Sequence, residues 1–280
     1  MMLENIFDGI ADNAATANKA DAEDYEKDGL LYCGKCHTPK QTVIECFGQV
    51  RTVGCLCKCK TEAMELEQRK MQERERIARI HRLRVNGIQD RSVRNFTFES
   101  SNGANPDIMA RCKRYVDSWP EMLSDNIGLM FWGNTGNGKT YSSACIANAL
   151  IDRGVPVLMT SFTKILAGMT GMFSEDRISY LDSLSEFKLL VIDDLGAERQ
   201  SEFSLEQVYA VIDSRYKSNL PLIVTTNLSI NEMRNPKNMD YQRIYDRVLE
   251  MCVPIHFKGE SLRRGAAEDK MKRAREIFEI

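Results

Sequence analysis

Residues 128–140 read GLMFW followed by GNTGNGKT. An apolar run that stops at three spaced glycines, a lysine and a threonine matches G-x-x-x-x-G-K-[ST], and the helix-compatible KTYSSACIANALID begins at the lysine. The chemistry behind this spacing is anion capture. Glycines let successive backbone N–H groups turn inward, the helix adds its positive N-terminal end, the ammonium group reaches the outer phosphates, and the hydroxyl ligates a divalent cation. Gly133, Asn134, Thr135, Gly136, Asn137 and Gly138 are therefore read as a phosphate cradle. Lys139, Thr140 and Tyr141 join them as nucleotide contacts, with Thr140 also a Mg2+ ligand.

Around this stretch, apolar runs at Leu129–Trp132, Val155–Met159, Leu189–Ile192, Leu222–Thr225 and Val253–His256 alternate with helical segments. That alternation predicts an α/β fold with a parallel sheet covered on both faces. LLVIDDLG brings Asp193 and Asp194 to the C-terminal end of a strand, where open α/β sheets place their ligands. Asp193 is expected to hold Mg2+, and Asp194 or Glu198 to orient an attacking water. LPLIVTTN ends in Asn227, whose amide suits a γ phosphate and the lytic water. In YQRIYDRVLEM, Arg243 and Arg247 share one helical face, either as solvated charges or as arginines that reach a neighbouring subunit's γ phosphate.

Most of the nine cysteines fall between Cys33 and Cys59, a clustering that points to a metal rather than to disulfides. YCGKC offers Cys33 and Cys36; GCLCKCK offers Cys55, Cys57 and Cys59. Tetrahedral Zn2+ takes four ligands from two such turns. The expected set is Cys33, Cys36, Cys57 and Cys59, with Cys55 able to replace one of the last pair and His37 and Cys46 less favoured. Zinc here would be structural, because so short a module cannot bury enough apolar surface to fold alone. Cys112, Cys145 and Cys252 read as core side chains.

The remaining chain suggests four parts. Residues 1–29 form an acidic arm in which Leu3, Ile6, Phe7 and Ile10 could line one helical face; 30–60 form the zinc-binding module; 61–86 form a basic linker helix with Thr61 as N-cap; 87–280 form the α/β domain. Across 280 residues the net charge is only -2, yet residues 69–94 are strongly basic, either a solvated helix face or a nucleic-acid contact. No apolar run approaches the ~20 residues of a membrane span, and the start lacks signal-peptide character, so a cytoplasmic location and no membrane partner are expected.

Taken in order, GNTGNGKT, LLVIDDLG, VTTN, YDRVLEM and GESLRR resemble the AAA+ ATPase domain of the DnaC/DnaI family of replicative helicase loaders and its transposon relative IstB. The resemblance covers about residues 87–265. It implies an ATP-hydrolysing protein that delivers a hexameric DnaB-type helicase to single-stranded DNA, and that oligomerises when ATP-bound. It also implies Asn227 as sensor 1, Arg247 as arginine finger with Arg243 beside it, and Arg263 as the sensor 2 arginine. Some members carry an N-terminal zinc module that docks on the helicase, followed by a basic linker helix. Asp194 stands where a catalytic glutamate is common, which implies a slow, switch-like ATPase. An IstB-like transposition helper and a zinc-dependent adaptor with little turnover are the alternatives. Lys164, Arg177 and Tyr180 are DNA-contact candidates.

Overall fold

The computed structural model describes residues 21–46, 48–101, 103–197, 201–236, 238–259 and 261–278, without the side chains of 46, 240 and 263–269. The helix proposed over Leu3–Ile10 and the residue Glu198 lie outside them, as does the side chain of Arg263. The chain divides after Ile77 into two compact units.

In the first unit, β1 (Tyr25–Lys27) and β2 (Leu30–Tyr32) pair through a tight turn in which Asp28 and Gly29 both take positive φ, 52° and 74°. Between the two groups of cysteines lies a second hairpin, β3 (Gln41–Cys46) with β4 (Gln49–Gly54). Val43, Ile44 and Val50 on it are exposed, and among the described residues up to Ile77 only Cys33, Lys40 and Cys57 are buried. Buried Lys40 pairs with Asp21 and Asp24, and Asp24 also accepts the Gly34 N–H at 3.1 Å. The unit thus has charges and thiols at its centre instead of an apolar core.

Helix α1 (Lys58–Gly87) starts three residues before the expected Thr61 N-cap. The Lys58 N–H is capped from a distance, donating to Thr38 Oγ1 at 2.9 Å, while Thr61 sits inside the first turn and donates its hydroxyl to the Cys57 carbonyl. Met64, Met71 and Ile77 stay exposed; Ile80 and Leu83 pack against the core of the second unit.

That unit carries the sheet: β5 (Gly128–Trp132), β6 (Val157–Ser161), β7 (Leu189–Leu195), β8 (Leu222–Thr226) and β9 (Cys252–His256), all parallel, in the order β6-β7-β8-β5-β9. Two-residue periodicity sends alternate side chains to opposite faces. Leu129 and Phe131 enter the core under α2 (Pro106–Asp117), α3 (Trp119–Ser124) and α4 (Lys139–Asp152). Met130 enters the other core, with α5 (Phe162–Met169), α6 (Ser174–Leu184), α7 (Glu202–Lys217), α8 (Ile230–Arg234) and α9 (Gln242–Met251). Helix α10 (Leu262–Phe278) follows β9.

The second strand begins two residues later than the apolar run suggested. Gly154, at φ 80°, ends α4, and the Val155 N–H is taken by the Leu150 carbonyl, so Val155 belongs to the helix cap. Cys112, Cys145 and Cys252 are buried as expected. So is Arg215, which donates to the carbonyls of Leu184, Phe187, Lys188 and Pro221; burial lowers its pKa to about 9. It staples together the segments that lead into β7 and β8. Because β5 lies between β8 and β9, while the chain leaves it for distant β6, its C-terminal end opens at a switch point of the sheet.

Candidate nucleotide-binding site

The glycine loop leaves β5 at that switch point. Gly133, at φ 133°, passes so close to β9's exit that a Cβ would lie 2.4 Å from the Phe257 carbonyl oxygen. Gly136 holds a position that the motif leaves open, yet it takes φ 84°, and a Cβ there would meet Ser261 Oγ at 2.1 Å. The Leu262 N–H donates to the Gly136 carbonyl at 2.9 Å, so the start of α10 is seated directly on the loop. Asn137, almost wholly buried, donates to Phe257 O at 2.6 Å, and its own carbonyl accepts from Asn105 Nδ2 at 2.9 Å.

Lys139 opens α4 with its ammonium group bound to the carbonyls of Gly133 and Asn134, both at 2.7 Å, to Asn137 Oδ1 at 3.3 Å and to Asn227 Oδ1 at 3.0 Å. One turn of hydroxyls and carboxylate lies beside it. Thr140 Oγ1 donates to Asp193 Oδ1 at 3.0 Å, and Thr225 Oγ1 donates to the same oxygen at 2.6 Å. Asp194 N–H in turn donates to Thr225 Oγ1 at 2.9 Å. The pairing of β7 with β8 slips between Ile192 and Leu195, and in that bulge Asp194 takes φ 58° and is exposed. Aspartate is among the few side chains that tolerate this conformation.

A cavity of about 720 Å³ is lined by Lys139, Thr140, Asp193, Asp194 and Asn227 together with the apolar side chains of Val93, Phe96, Met109 and Leu262. Its volume suits a nucleotide-sized ligand. Tyr141 stands on one wall, its hydroxyl donating to Thr97 O at 2.9 Å and its ring 4.7 Å from that of Phe96. The sequence reading missed Val93, Phe96, Asn105 and Met109. They come from a segment with no motif of its own, and only its return across α4 brings it to the loop.

Mg2+ can be tested against these residues. Octahedral Mg2+ at 2.0–2.1 Å sets adjacent oxygen ligands about 2.9 Å apart, close to the 3.0 Å between Thr140 Oγ1 and Asp193 Oδ1. The donors are hard oxygens, as that ion requires. Burial raises the Asp193 pKa above the ordinary carboxylate range, the Thr225 and Thr140 hydroxyls oppose this, and the charge of Asp194 reinforces it. A raised folded-state pKa favours the protonated folded protein. This stabilising contribution is present at low pH and is lost as the pH climbs from the unfolded value, near 4, through the folded one. Asp193→Asn is therefore expected to raise the melting temperature of the nucleotide-free protein at pH 7, with the gain vanishing toward pH 4, while Mg2+-dependent nucleotide binding is lost. A melting curve that does not rise at pH 7 would count against the buried-charge account.

The two arginines differ. Arg247 turns into its own subunit, with NH2 2.6 Å from Asp213 Oδ1 and its guanidinium 4.7 Å and 5.4 Å from the ring centres of Tyr209 and Tyr216. Arg243, one turn earlier, is exposed. The structure thus holds Arg247 against its own subunit and leaves Arg243 exposed.

In the first unit, the sulfurs of Cys33, Cys36, Cys57 and Cys59 all lie within 4.8 Å of one another. Zn–S bonds of 2.3 Å give a tetrahedral S–S edge of about 3.8 Å, against 3.7 Å for Cys33–Cys59 and 3.4 Å for Cys57–Cys59. The four fit zinc. Cys55 stands apart, its thiol donating to the Pro39 carbonyl at 3.4 Å, and so is not the substitute ligand that its spacing allowed. Thr38 Oγ1 lies 3.1 Å from Cys36 Sγ and also caps α1, tying one ligand pair to the other. Hydrogen bonding to Thr38 is the main reason the Cys36 pKa falls to about 5.

The parallel sheet, the glycine loop and the carboxylate at the end of β7 define a P-loop α/β domain of the AAA+ kind. Residues 52–270 match the family of IstB-like ATP binding proteins, and the chain belongs to that family. It is 29% identical over 165 residues to the replicative helicase loader DnaC of Escherichia coli (strain K12), covering 57% of this chain and 63% of that protein. It is 23% identical over 181 residues to the replicative helicase loader DnaI of Bacillus subtilis (strain 168), covering 60% of this chain and 58% of that protein. The chain thus spans less than two thirds of the length of these curated relatives. Crystal structures of DnaI and of the DnaC helicase loader share the fold, each with a TM-score of 0.51, at 23% and 21% identity, over 60% of this chain and 94% and 100% of theirs. Among the described residues no helix is long and apolar enough to cross a membrane.

Proposed function

We propose that this chain is an ATP-dependent loader that delivers a hexameric replicative helicase of the DnaB type to single-stranded DNA. The observation that carries the reading is the convergence of Lys139, Thr140, Asp193 and Asn227 on one cavity, in a chain whose relatives are named replicative helicase loaders. On this reading the triphosphate takes over the Lys139 ammonium from the carbonyls of Gly133 and Asn134, and the N–H groups of the loop close around it. Thr140 and Asp193 would hold Mg2+, which supplies positive charge against the phosphate oxygens. Asn227 and Asp194 orient the attacking water; because Asp194 is one methylene shorter than glutamate, hydrolysis is slow and acts as a switch.

ATP binding favours an oligomer in which an arginine of α9 completes the neighbour's site. Arg243 is already exposed for that role, whereas Arg247 would first have to leave Asp213 and its two tyrosines. Arg263 at the start of α10 is the proposed sensor 2 residue. The module held by Cys33, Cys36, Cys57 and Cys59 with Zn2+ faces the helicase. Hydrolysis then releases the partner.

The test is co-purification with the host's replicative helicase, together with ATP turnover measured with and without single-stranded DNA. The expected result is helicase capture that needs ATP. Arg243→Ala should lower turnover of the assembled protein toward the ~10³-fold scale of arginine fingers without changing nucleotide affinity of the isolated subunit. Arg247→Ala should also lower the melting temperature. A second reading, a transposition helper, rests on the likeness to IstB alone; capture of a transposase together with duplex DNA, and not of the helicase, would decide for it.

A further inference from the structure

We propose that Asn148 is a positioning residue for the base end of the nucleotide site, holding the wall on which a nucleobase would lie without touching the ligand itself. The inference rests on the nucleotide reading above and concerns residues that no motif includes. Asn148 lies on α4, about two and a half turns after Lys139 on the same helix, and only 2% of it is exposed. Its Nδ2 donates to two carbonyls at once, Val93 O at 2.9 Å and Phe96 O at 3.0 Å. Both of those residues line the cavity.

The segment so held is anchored elsewhere by the buried Val93 side chain, by Arg94 on the carbonyls of Val85 and Ile88, and by Asn105 on the Asn137 carbonyl. It begins where Ile88 runs beside Met159 of β6, makes a single short turn at Arg91–Val93 capped by Asp90, and then continues, among the described residues, without a strand or helix until Pro106. Tyr141 supplies a second clip from the same helix, through its hydroxyl to Thr97 O and its ring against Phe96. Helix α4 therefore carries the phosphate contacts Lys139 and Thr140 at its start and, through Asn148 and Tyr141, fixes the opposite wall. One rigid element sets the distance between the two ends of the ligand. Asn148 Oδ1 is buried with no hydrogen-bond partner, so the amide is retained for its two donated bonds rather than for a network of its own.

A residue that acts only on the base end must affect nucleosides and bare polyphosphates differently. Asn148→Leu keeps the side-chain volume and removes both donors; Tyr141→Phe removes one hydroxyl from the same wall and leaves the core intact, so the wall is still read if the leucine variant does not fold. Full-length wild type and variants are titrated with Mg-ATP and with inorganic tripolyphosphate, alongside melting curves. The expected result is a loss of about 10-fold or more in ATP affinity for Asn148→Leu and a smaller loss for Tyr141→Phe, with tripolyphosphate affinity unchanged in both. Equal losses for the two ligands, or no loss for either, would overturn the proposal. Failure of the wild type to bind either ligand would instead overturn the nucleotide reading on which it stands.

Discussion

Lys139→Ala is expected to lower nucleotide affinity about 100-fold or more, since two charge-assisted hydrogen bonds to phosphate contribute about 3 kcal/mol. The structure adds a second consequence. In the nucleotide-free protein the same ammonium group holds the carbonyls of Gly133 and Asn134 and the side chains of Asn137 and Asn227. Alanine removes the donor that these acceptors share, so the loop should loosen even before ligand arrives, and the melting temperature should fall. Lys139→Arg separates the two effects. It keeps the charge, but a planar fork does not reproduce a compact ammonium among four converging acceptors. Calorimetric titration with Mg-ATP beside thermal melting provides both readings, and unchanged affinity in Lys139→Ala would remove the phosphate site from this loop.

Chelation of the metal is expected to unfold the cysteine module outright while the second unit keeps its nucleotide affinity. The physical ground is the near absence of a core: among described residues up to Ile77 only two thiols and the salt-bridged Lys40 are buried, and both hairpins expose most of their side chains. Structural zinc contributes about 10–16 kcal/mol in small modules of this kind, far more than so little apolar burial could supply. The released metal should amount to one equivalent. Backbone amides between Tyr25 and Gly54 should lose their protection from hydrogen exchange, and helicase capture should be abolished, whereas amides of β5 to β9 remain protected. Hairpins that stay protected after complete metal removal would refute a metal-dependent fold. Cys55→Ser should leave zinc content unchanged, because its sulfur faces Pro39 rather than the other four.

Much of the second unit was legible because its signals are local. The glycine spacing of GNTGNGKT, the apolar runs that lead to Asp193 and Asn227, and the alternation of strand with helix each depend on neighbours in the chain, and the sheet has its five strands at those runs, with β6 displaced by two residues. The cysteine set was nearly legible for the same reason. Choosing between Cys55 and Cys57 needed more: it turns on which thiol the cap from Thr38 to Lys58 directs inward.

What the amino-acid sequence determined by itself is the phosphate loop, the carboxylate strand, the parallel α/β class and a four-cysteine module, since short-range spacing and periodicity encode them. The tertiary structure alone decided that Gly136 must yield to Ser261, that Asn105 and Asn148 hold the cavity, and that Arg247 is turned inward onto Asp213. Those outcomes join side chains tens of residues apart, as when Asn137 reaches Phe257 at 2.6 Å. No periodicity announces such pairs, because they arise only when the packing of whole helices on the sheet fixes which distant backbone groups need a donor.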